Sequence, residues 1–134
     1  METSDRQRSL RAGLIVGVTY FLIGRLFALP ADHVQMWRMA AWVCSAAVYT
    51  THIGFETFTV HSSRRWTALH VALAAACGAL LLAVAGMLHA LGSASGLRAT
   101  WLLALVIWPA VTAVPAFLVA LVVGMVLQRL RDSD

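Results

Sequence analysis

Six residues recur along one stretch of this chain at spacings of 4, 3, 4, 3 and 4: Arg38, Trp42, Ser45, Tyr49, His52 and Glu56. At about 100° per residue they share one face of a helix. The group mixes a guanidinium, an indole, two hydroxyls, an imidazole and a carboxylate, so it could bind an ion, pass a proton or hold a polar ligand. His52 and Glu56 stand one turn apart and can pair as imidazolium and carboxylate. With a rise of about 1.5 Å per residue, Arg38 and Glu56 are separated by roughly 27 Å, close to the thickness of a bilayer's hydrocarbon core. Lipid penalises polar groups, so the lane is expected to face protein, water or a ligand.

The surroundings require that solvent to be lipid. Of the 134 residues, 60% are hydrophobic and 12% charged, and the mean hydropathy is +0.79. A soluble domain of this size could not hide so much apolar surface. The expectation is an all-α, four-helix transmembrane bundle, antiparallel and up-down, forming a single membrane domain over 1–134. Its spans are expected near 12–29, 34–59, 66–91 and 99–127. Pro30 and the polar Ala31-Asp32-His33 stop the first. Gly92 and the Ser93-Ala94-Ser95-Gly96 turn stop the third. Pro109 and Pro115 lie inside the long fourth span and supply a cause for a kink. The first apolar run is read as a retained span rather than a cleaved leader. Arg25 interrupts it, and a cut after Ala31 would place Leu29 at the −3 position.

All ten basic residues are Arg, and the net charge is +4. Seven lie on one side of the expected bundle, in the N-terminal segment, the Arg64-Arg65 loop and the C-terminal segment. Three, Arg25, Arg38 and Arg98, lie on the other. This bias places both termini in the cytoplasm and the chain in a cell membrane, the inner one in a bacterium. It fits topology better than nucleic-acid binding, which wants a continuous basic face. Trp37, Trp66 and Trp101 stand near helix starts, as interfacial anchors do. Cys44 and Cys77 fall mid-span and read as packing residues.

Each span carries a stripe of small residues that lets backbones approach closely. The stripes are Gly13, Gly17, Gly24 and Ala28; then Ala40, Cys44, Ala47, Thr51 and Gly54; then Ala68, Ala72, Ala75, Ala79, Gly86 and Ala90; and last Ala113, Ala116, Ala120 and Gly124. On the second helix the small stripe and the polar lane are roughly opposite. That helix is therefore expected either to lie centrally or to meet another protein.

Several chemistries compete for these residues. His52 and Glu56 support a structural pair at the cytoplasmic headgroup level, a proton relay or ligand site, or part of a metal site completed by His61 and His70. His70 lies opposite the small stripe of its own helix and is expected to face headgroups, which weakens both a zinc site and a bis-histidine haem site. Arg25 and Arg38, with Asp32, His33 and His89, form an outer cluster. It suits snorkelling with a salt bridge to Asp32, or an anionic headgroup or small anion. Thr19, Tyr20, Thr50 and Thr57 read as helix-packing contacts.

No nucleophile elbow, P-loop, Gly-rich dinucleotide turn, Cys-x-x-Cys or His-Glu-x-x-His occurs, and the soluble segments are short, so an enzyme is not expected. Residues 54–59, Gly-Phe-Glu-Thr-Phe-Thr, share a Phe-Thr flavour with small four-span fluoride channels. Those channels depend on an Asn, and this chain has none. Small multidrug transporters place a carboxylate deep in their first helix, and the first span here has no acid. No family is assigned. The leading functional expectation is a non-enzymatic membrane subunit or scaffold that packs, as a homo-oligomer or with other membrane-protein subunits, through its second helix. A small oligomeric transporter or channel using the lane is the alternative, and a haem- or metal-binding redox subunit the third.

Overall fold

The computed structural model describes residues 3–60, 63–92 and 99–131. Four helices follow one another: α1 (Thr3–Leu26), α2 (Val34–Gly54), α3 (Arg64–Leu91) and α4 (Ala99–Arg131), with a π-turn, Phe55–Thr59, continuing α2. No strand occurs among the described residues. Three of the helices are long and apolar enough to cross a membrane. α2 has 21 residues, enough length to span, but the polar lane leaves it without a stretch as apolar as those in the other three.

Contacts give the directions. Ser9 meets His70, Gly17 meets Cys77 and Gly24 meets Leu82, so α1 and α3 run parallel. Gly86 meets Trp101 and Gly124 meets Arg64, so α3 and α4 run antiparallel. Tyr49 reaches Ala116, and Phe27 packs edge-on to Trp37 with ring centroids 5.8 Å apart. The expected up-down alternation is therefore present, with the start of α1 and the end of α4 at the same end of the bundle.

The packing is inverted relative to a soluble protein. Alanines and glycines of α3 are buried, including Ala68, Ala72, Ala75, Ala79 and Ala83, while Leu14, Val43, Val106 and Val111 are exposed. Small residues in the seams and branched apolar residues outside suit a lipid solvent. Gly78 shows why the seam needs glycine. A Cβ there would stand 2.6 Å from Tyr20 Cβ and 3.0 Å from the Gly17 carbonyl. Cys44 and Cys77 are free and half-buried, and Cys77 packs on Gly17.

Four expectations change. First, α3 is the central helix, lying between α1 and α4. α2 packs least closely on the rest, and Ala47 and Thr51 of its small stripe are exposed. Second, Gly17 rather than the Gly13-x-x-x-Gly17 pair carries the α1–α3 approach, because nothing lies within 4 Å of a Cβ at Gly13. Third, α1 begins at Thr3 instead of residue 12. A helix need not stop where hydrocarbon begins, and Arg6, Arg8 and Arg11 stay exposed while Ser9 between them is buried. It also ends at Leu26, where short-range bonds from Ala28 N to Arg25 O and from Leu29 N to Leu26 O, both 3.3 Å, tighten the chain before Pro30. Fourth, the turn that follows α2 is wider than an α-helix. Val60 N donates to Phe55 O at 3.2 Å across five residues, and such turns re-aim the side chains they carry. The turn entering α2 is also unusual: His33 has φ 54°, a left-handed conformation rare outside glycine, and its carbonyl accepts the Trp37 N–H at 3.2 Å. The 93–96 turn and Arg98 lie outside the described residues, and α4 runs on through both prolines.

Candidate functional site

The structure divides the polar lane. At its N-terminal end Arg38 and Trp42 are exposed, Trp42 by 79%. Ser45 and Tyr49 are half-buried, and the Tyr49 hydroxyl donates to the Ala116 carbonyl of α4. At its C-terminal end His52 and Glu56 are buried, Glu56 with 0% of its surface exposed. The C-terminal half thus turns into the chain's own bundle.

Three elements meet at Glu56, which the π-turn carries. Ser9 of α1 donates its hydroxyl proton to Glu56 Oε1. His70 of α3 places Nδ1 3.3 Å from Glu56 Oε2 and 2.5 Å from Ser9 Oγ. A serine hydroxyl has one proton, and here the carboxylate takes it. His70 Nδ1 is then the donor to Ser9 Oγ. His52 Nε2 approaches Glu56 Oε1 to 3.8 Å, and neither ring nitrogen has a hydrogen-bond partner among the described residues. Trp66 lies over His70 with ring centroids 5.9 Å apart. A cleft of about 110 Å³ opens beside Ser9 and His70, along Gly13.

His70 is therefore a correction. It faces the bundle interior, because α3 is covered on two sides: the small stripe meets α4, and α1 covers the face that His70 shares with Ala74 and Cys77. Ser9 escaped sequence reading because it stands among exposed arginines. The signal existed, since extending the stripe Gly24, Gly17 and Gly13 back by one turn lands on Ser9.

The arrangement sets its chemistry. A hydrolytic triad puts histidine between serine and acid so that the imidazole withdraws the hydroxyl proton. Here serine sits between histidine and acid, and its proton is committed to the carboxylate. Ser9 is a clasp rather than a nucleophile. Among the described residues no group of three His, Cys, Asp or Glu side chains is arranged to hold a metal ion, and His61 lies outside them. One carboxylate, two imidazoles and a hydroxyl lie close together in a bundle that excludes water from Glu56.

No family model, no curated protein and no solved structure matches this chain.

The remaining sequence candidates lie at the surface. Arg25, Asp32, His33, Arg38 and His89 are all exposed. Among the described residues no ion pair joins Asp32 to Arg25 or Arg38. Thr19 and Thr50 donate to the carbonyls of Ile15 and Ala46 on their own helices, each at 2.8 Å, a back-bond within the helix.

Proposed function

We propose that this protein is a small multi-pass carrier or channel of a cell membrane, and that proton binding at Glu56, with His52 and His70 beside it, is part of its working step. The observation that carries the reading is a fully buried carboxylate with two imidazoles at 3.8 and 3.3 Å. An ionisable group inside a membrane bundle is costly to keep and marks a functional site by default. Tyr49 and Ser45 continue the lane from this cluster along the wall of a cavity shared by all four helices. The arginine distribution supports cytoplasmic termini, with the cluster at the cytoplasmic end. The cell membrane, the inner one in a bacterium, is the location we propose.

A second reading rests on the outer face of α2. Met39, Val43, Ala47 and Thr51 are exposed there, and the small residues among them permit close approach of another helix. A second copy, or another membrane subunit, fits this face. A scaffold role and a carrier role are compatible in an oligomer.

Liposomes containing only this protein test the first reading. A proton gradient should drive flux reported by an enclosed pH dye, and Glu56→Gln should abolish it while the native mass in detergent is unchanged. Equal flux from both proteins, or none above empty liposomes, would contradict it.

A further inference from the structure

At the end of the bundle where α1 starts, the start of α3 and the later turns of α4 form a groove of about 460 Å³. Its wall is Ser63, Arg64 and Arg65 on one side and Leu121 and Met125 on the other. No residue of the Glu56 cluster lines it, so it is a separate feature. Two cations and two apolar side chains share this wall, and no acid does. Among the described residues neither arginine has an ion-pair partner.

Three observations set the depth of the groove and its chemistry. Trp66, the next residue of α3, is exposed, and an exposed indole at a helix start marks the membrane interface. The two arginines therefore stand at headgroup level. Leu121, one turn before Met125 on α4, lies on the hydrocarbon side of them, because α4 runs antiparallel to α3. Next, the stem of Arg64 is seated on α4: its Cγ lies 3.6 Å from where a Cβ on Gly124 would stand. That contact holds the side chain at the α3–α4 seam while the residue as a whole stays exposed. Last, Ser63 precedes α3 without capping it. The first-turn N–H groups lack that partner, and the positive end of the helix dipole adds to the two guanidiniums.

We infer that this groove holds the phosphodiester headgroup of an anionic glycerophospholipid. Arg64 and Arg65 donate to the phosphate oxygens, and the acyl chains run past Leu121 into hydrocarbon. A basic pocket between helices at headgroup depth is an arrangement that selects anionic lipid. A zwitterionic lipid offers the same phosphate but brings its own cation beside the arginines, and so gains less. Free phosphate would satisfy the arginines but leave Leu121 and Met125 uncovered. A lipid placed here bridges α3 and α4. The inference stands independently of proton binding at Glu56, since the arginines do not titrate.

Native mass spectrometry of the full chain in mild detergent tests it, with titration by phosphatidylglycerol and by phosphatidylcholine of the same acyl chains. The wild type should bind one phosphatidylglycerol more tightly than phosphatidylcholine. Arg64→Gln combined with Arg65→Gln should weaken phosphatidylglycerol about twenty- to thirtyfold, roughly fivefold for each charge removed, and erase the preference. Arg6→Gln combined with Arg8→Gln removes the same charge from the same end but outside the groove, and should change binding less than about twofold. Arg65→Gln alone leaves the Arg64 stem on Gly124 and should still weaken phosphatidylglycerol about fivefold. Excess inorganic phosphate should not displace the lipid. Equal affinity of the wild type for both lipids, equal losses in the two double variants, no loss in Arg65→Gln, or displacement by inorganic phosphate would each overturn the site. No flux or protonation is read in this assay, so its failure is distinguishable from failure of the proton-binding reading.

Discussion

The α1–α3–α4 seams and the attachment of α2 are held by different physics. In the seams, backbones approach over Gly17, Gly78, Gly86 and the alanines of α3, and the close contacts are side chain on backbone or on glycine. α2 is attached at points: Phe27 on Trp37 at one end, Tyr49 on the Ala116 carbonyl part-way along, the Ser9–Glu56–His70 clasp at the other end, and one buried apolar side chain, Ile53, clustered with Ala68, Val71 and Ala120. Between those points lies the cavity. Shape complementarity is additive along a seam, and in lipid it supplies much of the packing energy. Polar point contacts are few, directional and sensitive to protonation. The difference teaches that α2 is the element free to respond, and that its residues carry the chemistry for that reason.

Substitutions can break this contrast, and the largest effect belongs to the seam. Gly78→Leu should cost about 3 kcal/mol or more, because no space exists beside Tyr20 and the Gly17 carbonyl. Thermal unfolding in detergent measures it. The matched change in α2, Gly54→Leu, adds a Cβ that meets nothing within 4 Å and should stay within about 0.5 kcal/mol. Equal losses would erase the distinction between the two regions.

Next in size is the clasp. Glu56→Ala strips Ser9, His52 and His70 of their shared carboxylate and should cost about 1–3 kcal/mol. Hydrogen exchange should rise in α2 and the first turns of α1, with α3 and α4 little changed. Uniform loss of protection over all four helices would show that the clasp is part of the seam.

Tyr49→Phe removes one hydrogen bond to α4 and should cost about 1 kcal/mol. The sharper readout is local: exchange near the middle of α2 should quicken while the ends keep their protection. The smallest effect is expected at Gly13. Gly13→Ala should stay within about 0.5 kcal/mol, since the added carbon enters open space, whereas Gly17→Ala meets Cys77 and the Ala74 carbonyl at 3.0 and 3.1 Å. A larger cost at Gly13 than at Gly17 would invert the packing described for α1 and α3.

Local rules made the helices legible in the sequence, and neighbourhood decided the rest. Pro30 and Gly92 mark helix ends through chain chemistry alone, and both ends lie near where those residues place them. The α3 stripe Ala68, Ala72, Ala75 and Ala79 is buried as its period implies. His70 was misplaced because a period tells which residues share a face, not how many faces a neighbour will cover. α3 is covered on two sides, so the face opposite its stripe is also interior. The same ignorance of neighbours left α2 with two placements, central or facing another protein, since two lipid-averse faces look like a core helix until one is seen exposed. Ser9 was hidden by the exposed arginines around it. The π-turn at Glu56 has no composition signal, and Phe55–Thr59 reads as ordinary helix. His52 and Glu56 were legible as a pair because their spacing is local. The α1 hydroxyl that completes the cluster was not.

The claim most exposed to test is that Glu56, buried among Ser9, His52 and His70, binds and releases a proton while the bundle stays folded. Infrared difference spectroscopy on the protein in bilayers, cycled between acidic and alkaline buffer, reads this directly. The account expects a reversible carboxyl C=O band that is missing from Glu56→Gln and that shifts in Ser9→Ala, where the hydroxyl donated to the carboxylate is gone. A difference spectrum identical in wild type and Glu56→Gln, over a range in which the helices remain intact, would contradict it.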